Sequence, residues 1–167
     1  VEQEQTRLPS PGEYLYEPSG AVVRAHLVQE LAQELGANLV DPHLAYLTAA
    51  KAVQSPLAQC YEVLEEIPVH EKQLKKWVRE RGFTALTIKK RGVDLVPEKM
   101  RATLLAGGAG KKSGKKAAKN QGYNPATLVF TRVGSGQQAR RIGWHVRPVD
   151  FSDAAHVSAS DAKSSLV

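Results

Sequence analysis

Cysteine, methionine and tryptophan are scarce in this chain: one, one and two in 167 residues. The lone Cys60 excludes an internal disulfide and any multi-cysteine zinc site. On an apolar strand it reads as a small buried hydrophobe. Aromatics make up only 6% of the chain, so the core has to be aliphatic. No apolar run approaches the ~18–20 residues that a membrane-crossing helix needs, and no membrane partner is expected. The histidines are His26, His43, His70, His145 and His156; none pairs with another at metal-ligand spacing with a carboxylate in register. No metal site is therefore assigned. The first residues, Val1-Glu2-Gln3-Glu4-Gln5, have neither the cations nor the apolar segment of a signal peptide, and there is no initiator Met. The chain reads as processed or cut from something longer, and a reducing cytoplasm is the expected compartment.

What the chain does have is positive charge. Lys and Arg number 23 against 17 Asp and Glu, a net charge of +6. Such a surplus favours a polyanionic partner. Hydrophobic residues at 42% are enough for one packed core.

The hydrophobic pattern gives an α+β order. Residues 1–13 read as an extended linker, with Pro9 and Pro11 around Ser10 and then Gly12. Val23, Leu27, Leu31 and Leu35 recur every four residues, which predicts one helix from about Ser19 to Leu35, with Gly36 as its C′ residue. Asn38 to Asp41 is extended, because Pro42 disfavours helix before it; Leu44 to Thr48 follows as a strand. Gln59 to Ile67 is a strand stopped by Pro68. Val69 to Arg81 is a helix with Leu74, Trp77 and Val78 on its buried stripe and Gly82 as its cap. Thr84 to Lys89 is a strand, and Pro97 begins a short helix to about Leu105. Thr127 to Val133 is a nearly continuous apolar strand, as expected inside a sheet, and Arg140 to Val146 is the last. The expected fold is a mixed β-sheet covered by helices on one face, with β-α-β-α-β-β order in the second half. The folded domain spans 14–149. A flexible basic loop occupies 107–122, and the Ser/Ala-rich residues 150–167 form a disordered tail.

Several chemistries fail on spacing. Gly110-Lys111-Lys112-Ser113-Gly114-Lys115-Lys116 is one residue short of a phosphate-binding loop, and Lys116 stands where a hydroxyl is required. The segment is better read as a polycationic arm that collects phosphates without sequence preference. Gly107-Gly108-Ala109-Gly110 follows a helix, so it is not the strand-turn-helix glycine motif of a nucleotide cofactor site. Asp41-Pro42-His43 lacks the second proline and the aromatic of the methyltransferase motif it resembles; Asp41 reads as a cap or turn residue. Glu65 and Glu66 are strand neighbours on opposite faces and cannot form an acid/base pair. No nucleophile with an adjacent base is visible, so the chain alone is not expected to be catalytic.

The most informative stretch is Leu86-Thr87-Ile88-Lys89-Lys90-Arg91-Gly92-Val93-Asp94. A half-buried strand carries three cations into a glycine turn. Clustered cations repel one another and suit an anionic partner; a solvated basic strand end is the alternative. Arg140, Arg141, Trp144, His145 and Arg147 form a second basic group, in which Trp144 either stacks on a base or packs against the sheet.

Four segments in order carry a resemblance: Glu17-Pro18-Ser19-Gly20-Ala21-Val22-Val23-Arg24-Ala25, Asp41-Pro42-His43-Leu44-Ala45-Tyr46-Leu47-Thr48, Ile88 to Asp94, and Ala126-Thr127-Leu128-Val129-Phe130-Thr131-Arg132-Val133. Together, over roughly Pro11 to Val133, they resemble the C-terminal THUMP-like domain of bacterial class I S-adenosylmethionine-dependent methyltransferases. The resemblance implies an upstream catalytic domain that holds S-adenosylmethionine, with no cofactor in this chain. By analogy with the true THUMP domain, it implies RNA, transfer or ribosomal, as partner. The RNA-contact candidates are then Lys89, Lys90 and Arg91, with Lys111, Lys112, Lys115 and Lys116 of the loop and Arg140 and Arg141 of the last strand. Two other readings stay open. One is an interaction or intramolecular scaffold domain without RNA contact, in which Tyr14 and Tyr16 dock the module on the upstream domain. The other is a small enzyme whose site assembles only in three dimensions.

Overall fold

The computed structural model describes residues 6–106 and 122–152. Seven strands lie in one mixed sheet: β1 (Tyr14–Pro18), β2 (Asn38–Leu39), β3 (Leu47–Ala49), β4 (Ala58–Ile67), β5 (Ala85–Arg91), β6 (Pro125–Val133) and β7 (Arg140–Pro148). Their order is β2-β3-β1-β4-β7-β6-β5. Four helices accompany them: α1 (Gly20–Arg24), α2 (Val28–Leu35), α3 (Glu71–Arg81) and α4 (Pro97–Leu105). The α+β class and the β4-α3-β5-α4-β6-β7 succession are those that the sequence predicts. The chain divides into two compact units, one of residues 1–64 and 147–167, the other of residues 65–146.

In the first unit, β1 pairs antiparallel with both β3 and β4. Residues before β1 are tied down. The Arg7 amide donates to the Leu39 carbonyl at 2.9 Å and Gly12 to Val63 at 2.8 Å, and Arg7 pairs with Glu13 at 2.6 Å. The core gathers Tyr16, Val22, Leu31, Leu35, Leu47 and Cys60. Tyr16 is fully buried; its hydroxyl donates to the Lys51 carbonyl and accepts from the Val53 amide, both at 2.7 Å. It is a core residue, unable to dock on another domain.

The single helix expected over Ser19 to Leu35 is two. His26 sits at φ 57°, and the Leu27 amide returns to the Val22 carbonyl at 3.1 Å. That bond closes α1 as a Schellman turn does, with histidine where glycine is usual. The four-residue spacing misled because Leu27 belongs to this turn and is 48% exposed, while Leu31 and Leu35 are buried on α2. Asp41 is the turn residue expected: its carboxylate accepts the His43 amide at 2.9 Å.

In the second unit, β5 and β6 run parallel with α4 in the crossover, and β6 and β7 run antiparallel. Leu74 and Val78 of α3 and Leu104 of α4 pack on Leu86, Ile88, Leu128 and Phe130. Gly82 ends α3 in the left-handed conformation, and Pro97 opens α4, as their positions predict. The other face of β6 and β7 is also buried, with Val129, Thr131, Ile142 and Trp144 at 2% exposure or less. Trp144 is therefore a packing residue, not a stacking one. Gly143 allows close approach: a Cβ there would stand 2.8 Å from the Phe130 ring.

Candidate nucleic-acid interface

The strand expected to stop at Lys89 runs on to Arg91, and the turn starts at Gly92, whose φ is 70°. Lys89, Lys90 and Arg91 are thus strand residues and alternate between faces. Lys90 is opposite Phe130 in register and projects from the same face; Lys89 and Arg91 project from the other. The three do not form one cluster. The β5 end is nevertheless held firmly, because the buried Thr131 hydroxyl donates to the Arg91 carbonyl at 2.9 Å.

β5 is the outermost strand. Cations on an edge strand also prevent pairing with another chain, and the Arg101 side chain caps one edge carbonyl, that of Leu86, at 2.8 Å. Edge protection alone would account for Lys89 to Arg91. It does not account for the neighbouring strands. Arg132 of β6 stands opposite Arg141 of β7, and Val133 opposite Arg140, on strands flanked on both sides. Residues facing each other in an antiparallel pair lie about 4.5–5.5 Å apart at Cα, and like charges there are destabilising.

The register therefore gathers two groups at one end of the sheet. Lys90, Arg132 and Arg141 share the face of Phe130; Lys89, Arg91 and Arg140 share the opposite face. Lys90, Arg132 and Arg141 are exposed, and none has a carboxylate partner among the described residues. Arg140 differs, having Glu66 at 4.0 Å. Arg132 is the residue that the sequence reading passed over. Its signal was there: one exposed cation two residues past Phe130 in an apolar strand. Lys111, Lys112, Lys115 and Lys116 lie outside the described residues.

The remaining chemistry is sparse. His26 and His43 line an open cavity of about 450 Å³ in the first unit with Val23, Leu39 and Pro42. No group of three or more metal-ligating side chains occurs among the described residues. Burial pushes the Cys60 thiol up to about 12, so it is not a nucleophile. Nor does the β5-α4 connection fit S-adenosylmethionine. A single glycine, Gly92, follows β5 where a glycine-rich turn is needed for close approach of a nucleotide, and the strand end is basic. Among the described residues no helix is long and apolar enough to cross a membrane.

The described residues thus form an α+β module with a basic rim at one end of its sheet. The comparisons give the family. Residues 58–148 match the model of the "THUMP domain-like" family, and the chain belongs to it. Over 137 residues it is 29% identical to an uncharacterized S-adenosylmethionine-dependent methyltransferase of Mycobacterium tuberculosis, in both strains CDC 1551 / Oshkosh and H37Rv. That match takes in 82% of this chain and 34% of each relative, so the chain spans about a third of the length of the curated relatives it matches. The crystal structure of a candidate methyltransferase from Porphyromonas gingivalis W83 superimposes with a TM-score of 0.59 at 21% identity, covering 86% of this chain and 31% of that one. That likeness concerns the fold.

Proposed function

We propose that this chain is the RNA-binding accessory domain of an S-adenosylmethionine-dependent methyltransferase, and that catalysis and the methyl donor belong to a domain elsewhere in the same polypeptide. The observation that carries the reading is Arg132 opposite Arg141 on inner strands, with Lys90 on the same face and, among the described residues, no carboxylate paired with them. A phosphate backbone would relieve that repulsion and release counterions. The family and the names of the relatives support the methyltransferase association. The 107–122 lysines would add sequence-independent attraction. The test is filter binding of a structured RNA and a single-stranded homopolymer at several salt concentrations. Replacing Lys90, Arg132 and Arg141 with Ala should weaken structured RNA more than homopolymer and reduce the salt slope by roughly 2. Wild-type binding of the structured RNA by that variant, with the fold intact, would refute the reading.

A second reading, a scaffold that docks the catalytic domain, is favoured by one feature of the first unit. An apolar groove of about 440 Å³ is lined by Val22, Ala25, Leu27, Leu31 and Leu57, with Glu30 and Glu34 at its border; Leu27 and Leu57 are 48% and 42% exposed. In the full-length protein, Leu27→Ser with Leu57→Ser should then release the catalytic domain to proteolysis while RNA binding persists.

A further inference from the structure

Two exposed planar groups that the basic rim does not explain lie on Arg81, the last residue of α3, and on Tyr123, next to the residue that bonds the end of α3. Arg81 is the first. Its guanidinium lies 5.2 Å from the centroid of the Trp77 ring, and Nη2 is 2.7 Å from Glu65 Oε1. That ion pair does not meet hydrogen-bonding geometry, since Glu65 Oε1 has no hydrogen-bond partner; it still holds one edge of the guanidinium in place. Behind it the Trp77, Phe83 and His145 rings touch one another with centroids 5.2–5.4 Å apart. The Trp77 ring that supports Arg81 is thereby fixed. The Arg81 side chain remains 46% exposed.

Tyr123 is the second. It is 81% exposed, the most exposed large hydrophobic side chain among the described residues. Its backbone is not loose. The next residue, Asn124, donates its side-chain amide to the Gly82 carbonyl at 3.1 Å and the Arg81 carbonyl at 3.4 Å. The Asn124 amide donates to the Thr84 hydroxyl at 2.8 Å, and its carbonyl accepts the Thr84 amide at 2.9 Å. The Tyr123 backbone thus lies one residue from a clasp that grips the end of α3, while its phenol ring stands in solvent.

We propose that Tyr123 and Arg81 form a stacking site for an unpaired nucleobase. The proposal rests on the RNA-binding reading above and adds a second contact to it. A phenol ring and a guanidinium plane both stack on bases, and the Arg81 plane is held beforehand by Trp77 and Glu65, so a stack onto it spends little entropy. The basic rim lies at the other end of β5. Seven residues at about 3.3 Å each put roughly 20 Å between Ala85 and Arg91. Stacking needs a base free of its pair, which a single-stranded extension supplies and a blunt stem does not, so the RNA that offers something to both sites is a hairpin with an unpaired tail.

The experiment compares two hairpins of the same stem, one blunt and one with a single-stranded 3′ tail of several nucleotides, by equilibrium binding to the full chain. Tyr123→Ala should weaken the tailed hairpin roughly 5- to 100-fold and leave the blunt one unchanged. Tyr123→Phe keeps the ring and should bind as the wild type does. Arg81→Lys keeps the charge but loses the plane, and should weaken the tailed hairpin alone. Tyr123 is almost wholly in water, so Tyr123→Ala should melt at the wild-type temperature, and a loss of affinity will not reflect unfolding. Equal losses on both hairpins, or no loss on either, would overturn the stacking site. If the wild-type chain binds neither hairpin, it is the RNA-binding reading itself that falls.

Discussion

Arg132 and Arg141 face each other across the β6–β7 ladder, each on a strand with neighbours on both sides. Like charges directly opposite in an antiparallel pair reduce stability, and nothing acidic offsets these two among the described residues. Removing either should therefore stabilise the protein while it weakens RNA binding. We expect Arg132→Ala to gain a few tenths of a kcal/mol at low salt, read as a small rise in melting temperature. In 1 M salt the gain should vanish, because the Debye length falls to about 3 Å. A fall in melting temperature at low salt would mean that Arg132 has a stabilising partner, and would remove the main argument for an anion at this rim.

Thr131 provides the complementary case, a buried polar group that is satisfied. Its hydroxyl donates to the Arg91 carbonyl across the parallel β5–β6 pair. Thr131→Val keeps the shape and deletes this donor to the Arg91 carbonyl. The expected cost is about 1–3 kcal/mol by denaturant unfolding. Structured RNA should also bind less tightly, as the β5 end loses its fixed position; unchanged stability would show that the carbonyl finds another donor.

The α+β order, the α3 and α4 boundaries and the long inner strand were legible because Pro, Gly and apolar periodicity mark them locally. Gly82 and Pro97 stand where the sequence places them. What failed was non-local. Nothing local to Tyr14–Pro18 announces that β1 pairs on both sides, with β3 and with β4; the sequence reading opens the domain at Tyr14 but places no element between the linker at 1–13 and the helix from Ser19. The break at His26 was hidden by a spacing that continues through it. The site was half legible: the Lys-Lys-Arg run drew attention by proximity in sequence, whereas the facing of Arg132 and Arg141 exists only in the β6–β7 register.

Gly143 gives a packing test independent of charge. A methyl group at this position would meet the Cδ1 and Cε1 atoms of Phe130 at 2.8 Å and Cγ1 of Ile67 at 3.2 Å. Phe130 is fully buried and cannot swing away. Gly143→Ala should cost about 1–3 kcal/mol through overpacking. Adding Phe130→Leu should recover part of that loss if the ring is the obstacle; a double variant no more stable than Gly143→Ala would place the strain elsewhere.

The last expectation concerns alkaline pH. Burial raises the Cys60 thiol from its ordinary 9.0 to about 12, and burial likewise raises the neighbouring Tyr16 hydroxyl, helped by Cys60. Both groups keep their protons more tightly folded than unfolded. The unfolded chain therefore binds fewer protons above pH 9, and stability falls as pH rises from about 9 toward 12. Below pH 9 the contribution is fully present and flat. Cys60→Ala removes the thiol's share, so its stability should decline less steeply over that window than the wild type's, whatever the cost of the substitution at pH 7. Thermal unfolding from pH 7 to pH 11 reads the two slopes. Parallel curves would mean that the Cys60 thiol titrates alike in both states, and that the packing of Tyr16 on Cys60 is looser than the buried core of the first unit implies.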